Sequence, residues 1–203
     1  MYLPRQFLTE DRAQILDIMR SCRLPTLVST AEGGAPFATH LPLVVSERDG
    51  NLLIEGHVAK PNPHAAFLAA RPQVLAMFLG PNAYLSPSVY PDKARVPTWN
   101  YVAVHAYGEA RVIEDELAKD ALLKRLIAIH EPVYAAQWRD LDIAYRRRML
   151  GGIVAFEIVV EKVEGKIKLG QHRPESHAAM RNAYESGDEA ERALAGWMDR
   201  LRF

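Results

Sequence analysis

The feature that most constrains this chain is the spacing of its apolar runs. They are strand-sized and sit in neighbouring pairs, joined by tight-turn residues rather than by helices. Residues 26–30 and 36–45 flank Glu32-Gly33-Gly34, and Asp49-Gly50-Asn51 leads into 52–57. A continuous apolar run, 74–79, ends at Gly80-Pro81; 99–113 reads as a long strand; 153–163 turns at Glu164-Gly165 into 166–171. About seven strands connected in this way do not build a parallel sheet, because each parallel pair needs a long crossover. The expectation is a mainly β fold, an antiparallel barrel with helices packed outside it.

Helices fill the gaps. Thr9, followed by Glu10 and Asp11, reads as an N-cap, with Ile15, Leu16 and Met19 at helical spacing behind it. Asn62-Pro63 opens a short helix over 64–70 that stops before Pro72. The clearest helix covers 114–130, with a stripe of Leu122, Leu123, Leu126 and Ile127; another covers 141–150 and stops at Gly151-Gly152. The chain divides into a barrel domain, 1–176, and a polar helical tail, 177–203.

Composition excludes several functions. Lys and Arg number 25, as do Asp and Glu, so the chain lacks the basic excess by which general polyanion binders displace counterions. Direct DNA contact therefore has no support from charge; the basic run Arg146–Arg147–Arg148 reads as a solvated helix face. Cys22 is the only cysteine, which rules out an internal disulfide and points to a reducing, cytoplasmic setting. No apolar run is long enough to span a bilayer. The seven histidines are dispersed, so no metal is expected. Nucleophile-elbow, phosphate-loop and dinucleotide-binding motifs are absent.

Three segments carry more polar detail than a plain barrel needs. In Phe37-Ala38-Thr39-His40-Leu41-Pro42, a threonine and a histidine sit mid-strand and Pro42 removes a ladder donor. In the stretch from Gly56 to Phe67, a strand ending in His57 is followed by Lys60, then by Asn62 and His64 at a helix start, an arrangement suited to an anion. In Pro97-Thr98-Trp99-Asn100-Tyr101, strand alternation puts Trp99 and Tyr101 on one face and Asn100 on the other, a wall for a flat ring. Plain readings stand beside these: an edge strand, a strand-to-helix connection, and aromatics plugging a barrel end.

The segments MYLPRQF, PFATHLP, GHVAKPNP, GPNAYLSPSVY, VPTWNYVAVHAYG and GKIKLGQHRPES, in order from Met1 to Ser176, resemble the PaiB-type family of FMN-binding negative transcriptional regulators. The resemblance implies an antiparallel split β-barrel of FMN-binding type, related to pyridoxamine-phosphate oxidases and homodimeric, with flavin sites at the dimer interface. It places Thr39, His40 and Leu41 beside the flavin, His57 and Val58 near its ribityl-phosphate, and Lys60, Asn62 and His64 around the phosphate. Asn100 and Gln171-His172-Arg173, the latter from the other protomer, complete the site; Arg173 would act across the interface on flavin carbonyls or a bound anion of the partner chain. Where the oxidases carry an Arg-Lys pair, this chain has Pro63 and His64. The implied function is sensing or regulation through bound flavin. The alternative is a flavin-dependent oxidoreductase acting on a small planar substrate with NAD(P)H, and a haem-degrading role is a weaker third reading.

Overall fold

Burial alternates along the strands and sets the sheet. In the computed structural model, which describes residues 1–202, the strands are β1 (Leu8–Thr9), β2 (Thr26–Thr30), β3 (Pro36–His40), β4 (Val44–Arg48), β5 (Asn51–Ala59), β6 (Gln73–Leu85), β7 (Thr98–Ile113) and β8 (Ile153–Lys168). The helices are α1 (Arg12–Ser21), α2 (His64–Ala70), α3 (Glu116–His130), α4 (Tyr134–Asp140), α5 (Ile143–Gly151), α6 (His177–Glu185) and α7 (Glu189–Arg200). The sheet order is β3-β2-β6-β7-β8-β5-β4, and β1 pairs with β8. The pairings of β1 with β8, β2 with β3 and β6, and β5 with β4 and β8 are all antiparallel, as the sequence predicts.

The chain forms two compact units. One holds Arg23–Met77 and Ala106–Val163; the other holds Met1–Cys22, Phe78–His105 and the chain from Glu164 onward. They are called the central and terminal units below. Strands β6, β7 and β8 each run through both.

In the central unit, α3 covers the sheet with Leu122 and Leu126 against Val44 and Ala155. Arg125 pairs with the buried carboxylate of Glu55. Gly108 on β7 lies so close to β8 that an added Cβ would sit 2.1 Å from the Val159 carbonyl oxygen. In the terminal unit, Met180 and Tyr184 of α6 and Leu194, Trp197 and Met198 of α7 are buried. Arg181 ties the two helices by donating to Asp199 at 2.6 Å. Asp188 and Glu191 form a capping box at the start of α7. Phe203, the last residue of the expected tail, lies outside the described residues.

Several boundaries differ from those the sequence predicts. Gly80-Pro81 does not end β6, which runs on to Leu85; at Gly80 an added Cβ would sit 2.5 Å from the Val102 side chain of β7, so glycine here permits close approach of that strand. Glu164-Gly165 is not a turn. Gly165 lies inside β8, where a Cβ would meet the Thr9 carbonyl oxygen at 2.8 Å, so glycine here permits close approach of β1. Pro42 does interrupt its strand, dividing 36–45 into β3 and the start of β4. Thr9 belongs to β1, and Asp11 is the cap of α1, accepting from Ala13 N at 2.8 Å. The sequence also missed α4, which Trp138 anchors by donating to Asp120 at 2.9 Å. No helix among the described residues is long and apolar enough to cross a membrane.

Candidate functional site

The polar residues of β3, β5 and α2 converge in the central unit. Along β3, Phe37 and Thr39 are half-buried, while Ala38 and His40 are exposed, as strand alternation requires. Phe37 packs edge-on against His64 and Phe67 of α2, with ring centroids 5.3 and 5.2 Å apart. Thr39 Oγ1 lies 2.8 Å from His64 Nδ1, and Asn62 Nδ2 donates to the same hydroxyl at 3.5 Å. Asn62 also fixes the helix start, accepting from His64 N at 2.9 Å. Three of the expected ligand residues are thus held in one network. His40 faces away from it and bonds Thr26 on β2 through Nδ1 at 2.8 Å. One ligand can meet the side chain of Thr39 or that of His40, and only the backbone of the other.

The ring of His64 is fully buried, and burial holds its pKa below the ordinary 6.5, so the ring is neutral at neutral pH. With Asn62 donating to the Thr39 oxygen, the hydroxyl hydrogen is free to point at Nδ1, and in that arrangement the ring proton sits on Nε2. Nε2 is itself buried without a hydrogen-bond partner. His57 on β5 is in a similar state: Nδ1 is buried and unpartnered, and burial lowers the ring's pKa. Lys60, on the loop between β5 and α2, is exposed. Leu41 and Val58 are buried core residues, so their side chains are not open to a polar ligand.

The anion site expected at the helix start takes a different form. Pro63 has no N–H, and the N–H of Lys60 donates to Gly152 O at 2.8 Å. The N–H groups of Asn62, Ala65, Ala66 and Phe67 all bond nearby carbonyls, and Asn62 takes that of His64. Any phosphate there must be held by side chains, chiefly Lys60 and the imidazole N–H groups.

The remaining expected residues, Asn100 and Gln171-His172-Arg173, lie in the terminal unit. Asn100 is buried and donates to Met180 Sδ at 3.3 Å. Nearby, burial pushes the Tyr184 hydroxyl up to about 12. Gln171 accepts from Leu169 N at 3.0 Å and donates back to Ile167 O, so its amide holds its own chain. Arg173 is partly exposed and lines a cavity of about 440 Å³ together with Asn100. Trp99 is half exposed; it donates to Asn82 at 3.1 Å and meets Tyr84 edge-on at 6.3 Å. Among the described residues, no group of three or more His, Cys, Asp or Glu side chains is placed to hold a metal ion.

Comparison with known proteins sets these groups in context. The profile of the family described as "Putative FMN-binding domain" matches residues 1–162. The Bacillus subtilis protein named "Protease synthase and sporulation protein PAI 2" is 38% identical over 177 residues, covering 87% of this chain and 84% of that protein. The chain belongs to this FMN-binding family. FMN is accordingly its cofactor, and the unpartnered nitrogens of His57 and His64 are chemically suited to flavin or phosphate oxygens. Solved structures agree in fold. The flavocytochrome Anf3 of Azotobacter vinelandii superposes with a TM-score of 0.66 at 15% identity, covering 83% of this chain and 73% of that one. The FAD and haem binding protein of Mycobacterium smegmatis gives 0.59 at 19% identity, covering 80% and 74%. The antiparallel split-barrel fold read from the sequence is the one observed.

Proposed function

We infer that the central unit holds FMN along β3, β5 and α2, and that the protein is a flavin-dependent regulator rather than a constitutive enzyme. The observation that carries the site is the pair of buried, unpartnered imidazole nitrogens on His57 and His64, on either side of Lys60 in the chain. A native protein rarely leaves such groups unpaired unless a ligand completes them. Lys60 supplies the charge for a phosphate, and His57 and His64 supply neutral N–H donors. Thr39 and Asn62 hold the His64 ring through Nδ1, leaving Nε2 for the ligand. Leu41 and Val58 contribute through backbone, and His40 lies at the strand edge. When bound, FMN supplies one- and two-electron redox chemistry, and the protein's part is to bind and orient it.

Regulation is supported by the relative, whose name ties it to protease synthesis and sporulation. With 25 basic and 25 acidic residues, the chain has no field that would draw it to DNA unspecifically, so the regulatory reading rests on a flavin-borne signal. A homodimer is part of the same reading. Tyr84 and Trp99, both half exposed and in edge-on contact between β6 and β7, offer an apolar patch for a second copy. Light scattering at micromolar concentration tests this, and a monomer would refute it. The single cysteine accords with a cytoplasmic setting. The FMN site is tested by titrating FMN and riboflavin side by side: the phosphate-bearing flavin should bind much more tightly, and equal affinities would remove the phosphate role.

A further inference from the structure

The cavity of the terminal unit is lined by Arg95, Lys168 and Arg173, with His172, Phe7 and Tyr90 among the other walls and no carboxylate among its lining residues. In a chain whose formal charge is zero, three cations around one cavity form a marked local excess. Their neutralisation is incomplete. Lys168 donates to Thr98 Oγ1 at 2.7 Å and has no carboxylate partner among the described residues. Arg95 pairs with Asp92 at 2.6 Å, but its Nε is buried with no acceptor. Among the described residues, the carboxylate that Arg173 reaches is Glu175, at 3.9 Å, which Arg95 also approaches at 4.0 Å. Burial and the neighbouring Lys166 both lower the Lys168 pKa, the signature of a cation lacking a counter-ion. A half-buried ammonium held in place by a hydroxyl is costly unless something negative arrives.

We propose that this cavity binds the phosphate or carboxylate of a small aromatic or otherwise planar metabolite, a ligand separate from the flavin, with Lys168, Arg95 and Arg173 as its oxyanion contacts. The volume of about 440 Å³ exceeds what a bare phosphate fills and lies in the range of small-molecule sites. Phe7 and His172, packed edge-on at 5.5 Å, and Tyr90, with Arg95 over its ring, provide an apolar wall for the body of the ligand. Burial and the surrounding cations hold His172 below its ordinary pKa, so at neutral pH it adds a neutral hydrogen-bonding group rather than a fourth charge. A bound ligand would report a metabolite to a flavin regulator, or serve as a flavin's reaction partner. The binding claim requires neither.

The test uses phenyl phosphate and inorganic phosphate, titrated calorimetrically into FMN-loaded protein at fixed ionic strength. The expected result is saturable binding of phenyl phosphate, tighter than inorganic phosphate, and weakened about tenfold or more by Lys168→Met. Lys168→Arg should retain most of the affinity, and the FMN dissociation constant should be unchanged in both variants. If Lys168→Met does not fold, Arg95→Gln takes its place with the same expectation. The proposal is overturned if phenyl phosphate does not saturate, or if it competes with FMN while Lys168→Met weakens FMN, which would make the cavity the seat of the flavin phosphate. Failure of the flavin reading would show separately as absence of flavin absorbance in the wild-type protein, and phenyl phosphate binding can still be measured on that flavin-free protein.

Discussion

Replacing Thr39 with valine removes one hydroxyl and almost no volume, so the effect reports the hydrogen bonds alone. The bond at risk is Thr39 Oγ1–His64 Nδ1 at 2.8 Å; the Asn62 contact at 3.5 Å adds little. His64 is fully buried and Nε2 already lacks a partner, so the variant leaves both ring nitrogens unpaired away from water. A lost bond plus an unsatisfied buried group costs about 1–3 kcal/mol. For a chain of this size, that corresponds to a melting decrease of about 2–12 °C. Thr26→Val is the control. It deletes a bond of the same length, Thr26 Oγ1 to His40 Nδ1, but His40 is exposed and water replaces the lost partner. Its cost should stay below about 0.5 kcal/mol. Urea unfolding of the flavin-free protein measures both, and FMN titration should show weaker binding for Thr39→Val alone. Equal destabilisation by the two variants, or unchanged FMN affinity in Thr39→Val, would refute the argument that a buried network holding the His64 ring serves the ligand.

Two further outcomes follow from the same structure. Burial lowers the pKa of His57, His64, His105 and His172 below 6.5, so the unfolded chain binds protons that the folded one resists; stability is fully present above pH 6.5 and falls as pH drops through the lower folded values, which urea midpoints at successive pH values would show, and a flat profile would contradict. Gly108→Ala places a Cβ 2.1 Å from the Val159 carbonyl oxygen, a clash with backbone that cannot turn aside, so it should cost at least about 1–3 kcal/mol in urea unfolding; an unchanged midpoint would mean β7 and β8 are less closely apposed.

The pattern of short runs and glycine turns made the antiparallel sheet legible, because period-two alternation and two-sided turns leave few other solutions. Strand continuity was harder to read. Gly80-Pro81 and Glu164-Gly165 look like turns in one dimension, yet each lies where a neighbour presses close, which only the register reveals. The β3–α2 network was partly legible, since Thr39, Asn62 and His64 stood out as polar residues in structured segments. The neutral state of His64 was not, for it depends on burial beneath Phe37. The helix-start anion site failed for a specific reason: Asn62 and the turn carbonyls consume the N–H groups that proline and capping residues advertised. Arg95 and Lys168 escaped notice because nothing in their spacing, 73 residues apart, marks them as neighbours of one cavity.

FMN held in the central unit would carry its phosphate at Lys60. The most direct measurement is the ratio of FMN to riboflavin affinity, by flavin fluorescence, in the wild type, Lys60→Ala and Lys168→Met. The expected result is a large ratio in the wild type, a collapse toward one in Lys60→Ala, and no change in Lys168→Met. A ratio unmoved by Lys60→Ala and abolished by Lys168→Met would contradict it, placing the flavin phosphate in the terminal unit instead.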